Sequence, residues 1–316
     1  MLTGLRFRKR PKGRRLNTRL FSEWITLALI GGCYALWMIA GLLWTSGVWF
    51  LGALALPVLA AFHGSLQHET IHGHPTRRVW LNELLVSLPL IGIFPYRRYK
   101  ALHLQHHRDE HLTDPYEDPE SYFWPADAVA RMTDFQRHLF ALNNTFVGRL
   151  LVGPALTIIG FTKTELARLK ADEPGVRLAW ALHGVGLVVL AVMVTQVFGM
   201  PLWVYFLCVT YPALSLTAMR SYAEHQAAEN VGARTAIVET CSPLALLYLN
   251  NNLHIVHHAS PATPWYRLPA LYNERRDNYL AANENTLFVG YSDIARRFAW
   301  RVKQPVEHPH RQIRTP

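Results

Sequence analysis

The sequence predicts an all-α integral membrane protein, with four transmembrane helices in two hairpins and a cytoplasmic helical cap that carries a di-metal site. Two observations predict the membrane part: residues 24–68 and residues 178–219 contain no Asp, Glu, Lys or Arg. Each block exceeds 40 residues. A helix needs about 20 apolar residues to cross a bilayer, so each block can hold two spans. Three histidine clusters predict the metal site.

The four spans are predicted near Trp24–Trp44, Gly47–Gln67, Leu178–Val197 and Pro201–Met219. The turns between paired spans are short and uncharged. One such block could be a buried hairpin of a soluble protein. Two of them favour a membrane protein.

Charge predicts the orientation and the division of the chain. We expect a basic cytoplasmic N-terminal arm at residues 1–23, a membrane domain at residues 24–270 and a cytoplasmic C-terminal tail at residues 271–316. By the positive-inside rule, the insert 69–177 and the segment 220–270 are also cytoplasmic. The net charge of +10 would ordinarily suggest nucleic acid as a partner. Because much of it precedes the first span, it indicates contact with anionic lipid headgroups instead.

Two shorter apolar runs lie in the insert, at Leu84–Phe94 and Leu150–Phe161. Both are too short to span a bilayer, and each contains a proline, so we predict interfacial or core helices there. The three cysteines are widely separated and indicate neither a disulfide framework nor a thiolate metal site.

The histidine clusters follow two spacings. His68 and His72 stand four residues apart, whereas His-x-x-His-His occurs twice. Positions i, i+3 and i+4 share a helix face, so each copy is predicted to present three imidazoles toward one point. Eight imidazoles exceed the four that close a tetrahedral zinc site, and two metal ions follow. The eight residues are His68, His72, His103, His106, His107, His254, His257 and His258.

In order and placement these clusters resemble the histidine boxes of the membrane fatty acid desaturases and of their hydroxylase and carotenoid ketolase relatives. The resemblance covers residues 24–270, and three flanking segments look like bacterial, acyl-lipid-type sequences: Arg220–His225, Asn250–Asn252 and Pro264–Pro269. It implies two irons held by about nine ligands, with His225 at the position of the family's further histidine. It also implies a bacterial inner membrane, with the active site on the cytoplasmic face.

The resemblance further implies an O2-dependent di-iron desaturase that introduces a double bond into a fatty acyl chain of a lipid. The sequence contains no His-Pro-Gly-Gly haem motif, so we expect electrons from a separate donor protein such as ferredoxin or cytochrome b5. A hydroxylase or ketolase of a lipid or carotenoid on the same scaffold is the alternative. A membrane metal carrier or sensor is a more distant one, because its spans would need polar residues.

Several residues near the clusters have two interpretations. Asn251 could bind or orient a water on the metal, or act as a simple hydrogen-bonding residue, and His74 fits a boundary role better than ligation. The acids between Asp114 and Glu120 could hydrogen-bond the second box or merely form turns. Glu69 is expected to point away from the metal, and His308 to be solvated.

Overall fold

The structure is a computed structural model that describes residues 19–108 and 111–310, so most of the predicted basic arm lies outside the described residues. The described chain is mostly helical. Its helices are α1 (Arg19–Leu42), α2 (Trp49–Ile71), α3 (Val79–Leu85), α4 (Tyr96–His106), α5 (Ala126–Ala130), α6 (Asp134–Asn143), α7 (Phe146–Leu151), α8 (Gly153–Lys170), α9 (Val176–Val192), α10 (Leu202–Tyr205), α11 (Tyr211–Glu224), α12 (Pro243–Leu247), α13 (His254–Ala259), α14 (Leu268–Glu274), α15 (Arg276–Ala282) and α16 (Tyr291–Phe298). The strands β1 (Ile237–Glu239) and β2 (Leu287–Val289) pair in parallel.

Four helices in the described residues are long and apolar enough to cross a membrane: Trp24–Thr45, Trp49–Ile71, Val176–Val197 and Leu202–Glu224. This confirms the predicted fold class. The third and fourth spans include single π-helical stretches, and α10 and α11 belong to one continuous span. The second and fourth spans run a few residues further toward the cap than predicted, and these extensions carry His68 and the approach to His225.

The first hairpin packs tightly because α1 and α2 approach at a glycine. A Cβ on Gly52 would lie 2.3 Å from the carbonyl oxygen of Ala40, so a larger residue would force the helices apart. The indole of Trp37 donates to the hydroxyl of Tyr205 at 3.1 Å, and this hydroxyl donates to the carbonyl of Leu90 at 2.8 Å. These bonds join the two hairpins to the segment that enters the cap, without leaving a buried donor unpaired.

The predicted helix at Leu84–Phe94 is wrong over most of its length. Helix α3 ends at Leu85, and the chain is irregular until α4 begins at Tyr96. Pro89 has no backbone N–H to donate within a helix, and Gly92 adopts a positive φ of 76°, which does not occur in a right-handed helix. The second apolar run is helical as predicted, although α8 continues to Lys170.

A buried ion pair fixes α4 in the cap. The guanidinium of Arg98 donates twice to the carboxylate of Glu165 on α8, at 2.8 and 2.9 Å. The indole of Trp180, on the third span, donates to the same carboxylate at 3.1 Å. This bidentate geometry leaves few lone pairs of the buried carboxylate without a hydrogen bond. The helix that carries the second histidine cluster is therefore held against both α8 and the membrane domain.

The C-terminal part of the chain packs onto the cap. Strand β2 pairs with β1, and the buried side chains of Phe288, Tyr291 and Ile294 join Tyr222 and Tyr248 in one apolar cluster. This cluster lies next to the end of α11. Residues 288–298 thus support the region from which His225 projects.

Candidate metal centre

The ends of four helices bring the predicted histidines together. His68 lies in the last turn of α2, and His72 follows directly after it. The second cluster ends α4, with His107 as the residue after the helix. His225 follows α11 in an extended conformation, and α13 begins at His254. The histidine-bearing ends of these helices lie at the same end of the bundle, and this places each imidazole within reach of the others.

All nine predicted residues fall into two groups whose nitrogens could hold a metal ion, and within each group the nitrogens lie within 4.8 Å of one another. The five-nitrogen group consists of His68, His72, His103, His107 and His257. The four-nitrogen group consists of His106, His225, His254 and His258. Two groups agree with the prediction of two ions.

The prediction that each His-x-x-His-His copy converges on one point is wrong. His103 and His107 enter the five-nitrogen group, but His106 enters the other. In the second copy, His254 and His258 belong to the four-nitrogen group, whereas His257 belongs to the five-nitrogen group. At about 100° per residue, positions i and i+4 are 40° apart, whereas i+3 and i+4 diverge by 100°. The i+3 imidazole therefore reaches a different centre.

The nitrogen spacing within each group fits a metal ion. For bonds of about 2.1 Å, two ligands at right angles are about 3.0 Å apart. Pairs of Nε2 atoms lie at this distance: His72 and His103 at 3.1 Å, His103 and His107 at 3.0 Å, His107 and His257 at 3.1 Å, His225 and His254 at 2.8 Å, and His254 and His258 at 3.1 Å. The Nε2 atoms of His68 and His106 are buried without a hydrogen-bond partner, as inward-facing ligand atoms would be.

The other ring nitrogen of several histidines is held by an acceptor. The Nδ1–H of His103 donates to Glu120 and that of His106 donates to Asp118, each at 2.8 Å. His225 donates from Nδ1 to the carbonyl of Arg234 at 3.3 Å. These bonds fix the tautomer that leaves Nε2 free to bind a metal, and they raise the basicity of the imidazole. The loop acids therefore hydrogen-bond the second box, in addition to forming turns.

Asn251 lies beside His254, on the Nδ1 side of its ring. Its amide donates to Glu224 at 2.6 Å, while its oxygen is 3.4 Å from Nδ1 of His254. Glu224 itself is 3.3 Å from that Nδ1 and 3.0 Å from the guanidinium of Arg220. Asn251 and Glu224 thus orient the His254 ring through its Nδ1 atom, which leaves Nε2 to face the four-nitrogen group.

Three further residues discussed in the sequence analysis, His74, Glu69 and His308, lie outside the two nitrogen groups. The Nε2 atom of His74 lies 3.3 Å from the carbonyl of Ala262, outside both groups. Glu69 accepts from the backbone N–H of Trp265 at 3.1 Å and points away from the metal groups, as predicted. The prediction that His308 is solvated is wrong, because it is 5% exposed and packs against Phe123.

Burial favours neutral imidazoles, which are the form that binds metal. Burial, reinforced by neighbouring histidines, lowers the pKa of His72 to about 3 and holds the pKa values of His225, His254 and His257 well below the ordinary value. His106 differs. Burial acts to lower its pKa as well, but the carboxylates of Glu120 and Asp118 outweigh it and raise the pKa to about 9.

Sequence reasoning missed Glu224 and Arg220 as supports of the site. The two stand four residues apart at the end of the fourth span, which is a helical ion-pair spacing. That spacing could have indicated an internal pair. The partner His254 is far away in sequence, so it could not have been assigned.

Four helices long and apolar enough to cross a membrane, together with two histidine groups that could each hold a metal ion, are typical of a membrane metalloprotein. The comparisons with known proteins narrow this class. A model of the fatty acid desaturase family matches residues 47–288. A fatty acid desaturase of Bacillus subtilis (strain 168) is 28% identical over 262 residues, which cover 74% of this chain and 71% of that protein. The chain belongs to the fatty acid desaturase family, and its family makes it an oxidoreductase.

Proposed function

We propose that the protein is an O2-dependent di-iron desaturase that introduces a double bond into a fatty acyl chain of a membrane lipid. The observation that carries the proposal is the pair of histidine groups, five and four nitrogens, at the end of four membrane-spanning helices. Imidazole suits iron, and the neutral donors leave the charge of the ions to be balanced by nearby carboxylates. Asp118, Glu120 and Glu224 are within hydrogen-bond or ion-pair distance of the ligands.

Two bound irons would supply the oxidising power to remove hydrogen from an unactivated methylene, using O2 and two electrons. The protein's own contribution is position and exclusion of water. Seven of the nine histidines are buried, and His72 and His107 are partly buried. The five-nitrogen group therefore has the more open side, and we propose that O2 and the electron donor approach there.

An apolar groove is available for the acyl chain in the membrane domain. It has a volume of about 340 Å³ and lies between the first span, the third span and the irregular segment after α3, with Trp37, Leu88 and Met193 among its lining residues. Tyr34 also lines the groove, and its hydroxyl is 2.9 Å from Nε2 of His63. His63 precedes His68 on α2, so this contact joins the groove wall to the helix that carries the first histidine of the metal groups. Holding the chain in such a channel would fix which methylene reacts.

The cofactor and partner assignments complete the proposal. The nine histidines hold two irons, O2 is the co-substrate, and electrons come from a separate donor such as ferredoxin or cytochrome b5. The site lies on the cytoplasmic face of a bacterial plasma membrane. A metal carrier is disfavoured because, in the described residues, the four spans are apolar and both histidine groups lie at one end of them, away from the bilayer interior that a transported ion would cross.

Mass spectrometry of lipids tests the reaction. A host that expresses the protein should accumulate acyl chains lighter by two hydrogens, and only under oxygen. Chains that gain one oxygen would identify a hydroxylase instead, and products that gain one oxygen and lose two hydrogens would identify a ketolase. Unchanged lipids together with metal flux into protein-loaded vesicles would favour a carrier.

A further inference from the structure

The segment of residues 302–308, called here the C-terminal strap, lies beyond the residues that match the family model, yet it contacts the metal centre from two sides. It follows α16 and crosses the cap as an irregular segment with several bends. Its backbone is anchored midway, where the N–H of Lys303 donates to the carbonyl of Asn144 at 2.9 Å, and the Asn144 amide donates to the carbonyls of Gln304 and Pro305.

The first contact is made by Lys303 at the end of α11. Its side-chain nitrogen donates to the carbonyl of Tyr222 at 2.6 Å and to that of His225 at 3.0 Å. The last carbonyls of a helix have no partner within it, so a hydrogen-bond donor there caps the helix end. Here the capped residue is itself a member of the four-nitrogen group.

Gln304 reinforces the same region. Its side-chain oxygen accepts from the N–H of Ala227 at 2.8 Å and lies 3.1 Å from the hydroxyl of Tyr122. That hydroxyl is also 3.3 Å from the carbonyl of His225. The two side chains of the strap therefore fix the backbone on both sides of His225.

The second contact holds the loop that carries the acids. The N–H of Trp124 donates to Val306 at 2.8 Å, and the N–H of His308 donates back to Trp124 at 3.1 Å. At the other end of the loop, the His308 ring is 3.2 Å from the hydroxyl of Thr113. The N–H of Thr113 in turn donates to Asp118, the acid that orients His106.

We propose that the strap positions the four-nitrogen group, with Lys303 and Gln304 as positioning residues. The inference rests on the proposed metal centre. Two of the four histidines depend on the strap, His225 directly and His106 through Asp118. In the five-nitrogen group the strap reaches one histidine, His103, through Glu120 on the same loop. Weakening the strap should therefore release one ion of the two before the other.

The test compares Lys303→Met and Gln304→Met with Arg301→Met, an exposed residue just ahead of the strap. Full-length protein is loaded with ⁵⁷Fe, and Mössbauer spectra resolve the two iron environments. We expect Arg301→Met to keep both environments, as the unaltered protein does. The two strap variants should bind one of the irons about 10-fold more weakly or worse, and keep the other.

Hydrogen exchange of the metal-free proteins gives a second measurement that does not depend on iron. Residues 222–236 should exchange faster in Lys303→Met than in Arg301→Met. Equal loss of both irons, or retention of both, would overturn the inference, as would unchanged exchange in this segment. Failure of the unaltered protein to bind iron would instead count against the proposed function, while the exchange data would still decide whether the strap holds His225.

Discussion

The Nε2 atoms of His107 and His257 lie 3.1 Å apart, although 150 positions separate the two residues in the chain. The contact shows that the two His-x-x-His-His copies interlock rather than serve one group each. Each copy gives two imidazoles to one group and one imidazole to the other. Neither group can form without both α4 and α13, so the two sites should assemble together.

His225 is the group member outside the three boxes, and its removal should be decisive. We expect His225→Ala to fold and insert yet lose nearly all activity and bind one iron loosely, because it removes one of four nitrogens. His74→Ala serves as the control and should keep a measurable fraction of activity. Iron analysis and turnover check both. Normal turnover with full iron in His225→Ala would place the ninth ligand elsewhere, at Asn251 or His74.

Asp118 should tune metal affinity without touching metal. Its carboxylate accepts from Nδ1 of His106 and is nearly fully buried, with a side chain that is 2% exposed. Loss of such a partner typically lowers metal affinity 10- to 100-fold. We therefore expect the four-nitrogen group of Asp118→Ala to bind its iron more weakly than the unaltered protein does, by about that factor. Titration of metal-free protein with Fe²⁺ or Zn²⁺ measures it. Unchanged affinity would mean that the loop acid serves the turn alone.

The buried Arg98–Glu165 ion pair should affect the stability of the protein most when only one of the two residues is replaced. Glu165→Ala leaves a buried guanidinium uncompensated, and we expect a loss of about 3–5 kcal/mol in stability. Asp127→Ala breaks an exposed pair with Arg131 and should leave the stability nearly unchanged. Unfolding in detergent compares the two. If the double variant Arg98→Met/Glu165→Leu is not more stable than Glu165→Ala, the uncompensated charge is not the cause.

Orientation in the membrane can be read with reporter fusions. The positive-inside rule predicts both termini in the cytoplasm and the turn at Ser46 on the opposite side. Alkaline phosphatase should be active when fused after Ser46 and inactive at the C-terminus. The reverse pattern would place the histidine groups on the outer face and exclude a cytoplasmic electron donor.

Acid should loosen the strap through His308. Burial, then the charges of Arg234 and His310, lowers its pKa to about 4, whereas an unfolded histidine titrates near 6.5. The stabilisation from neutral His308 is thus present above about pH 6.5 and is lost as the pH falls toward 4. Hydrogen exchange in residues 302–308, divided by the intrinsic exchange rate of unprotected amides at each pH, should accelerate over this range. His308→Gln cannot titrate, so the same acceleration in that variant would remove His308 as the cause.

Local patterns in the sequence were enough to predict the membrane spans and eight of the histidines, because span length and the i, i+4 spacing are properties of single helices. His225 stands outside these patterns and was assigned only through the family resemblance. The irregular segment at 86–95 was missed, since its apolar composition resembles a helix and only Pro89 and Gly92 oppose it. The burial of His308 was missed because its partners, Thr113 and Phe123, lie far away in the chain.

The sequence by itself predicted four helices long and apolar enough to cross a membrane, and histidine clusters able to hold metal beyond their ends. The tertiary structure alone decided how those histidines divide, which acids stand behind them, and that the strap at Lys303 holds His225. The physical reason is that helical periodicity fixes the direction of a side chain relative to its own axis, whereas the angle and position of one axis against another depend on packing across the whole fold.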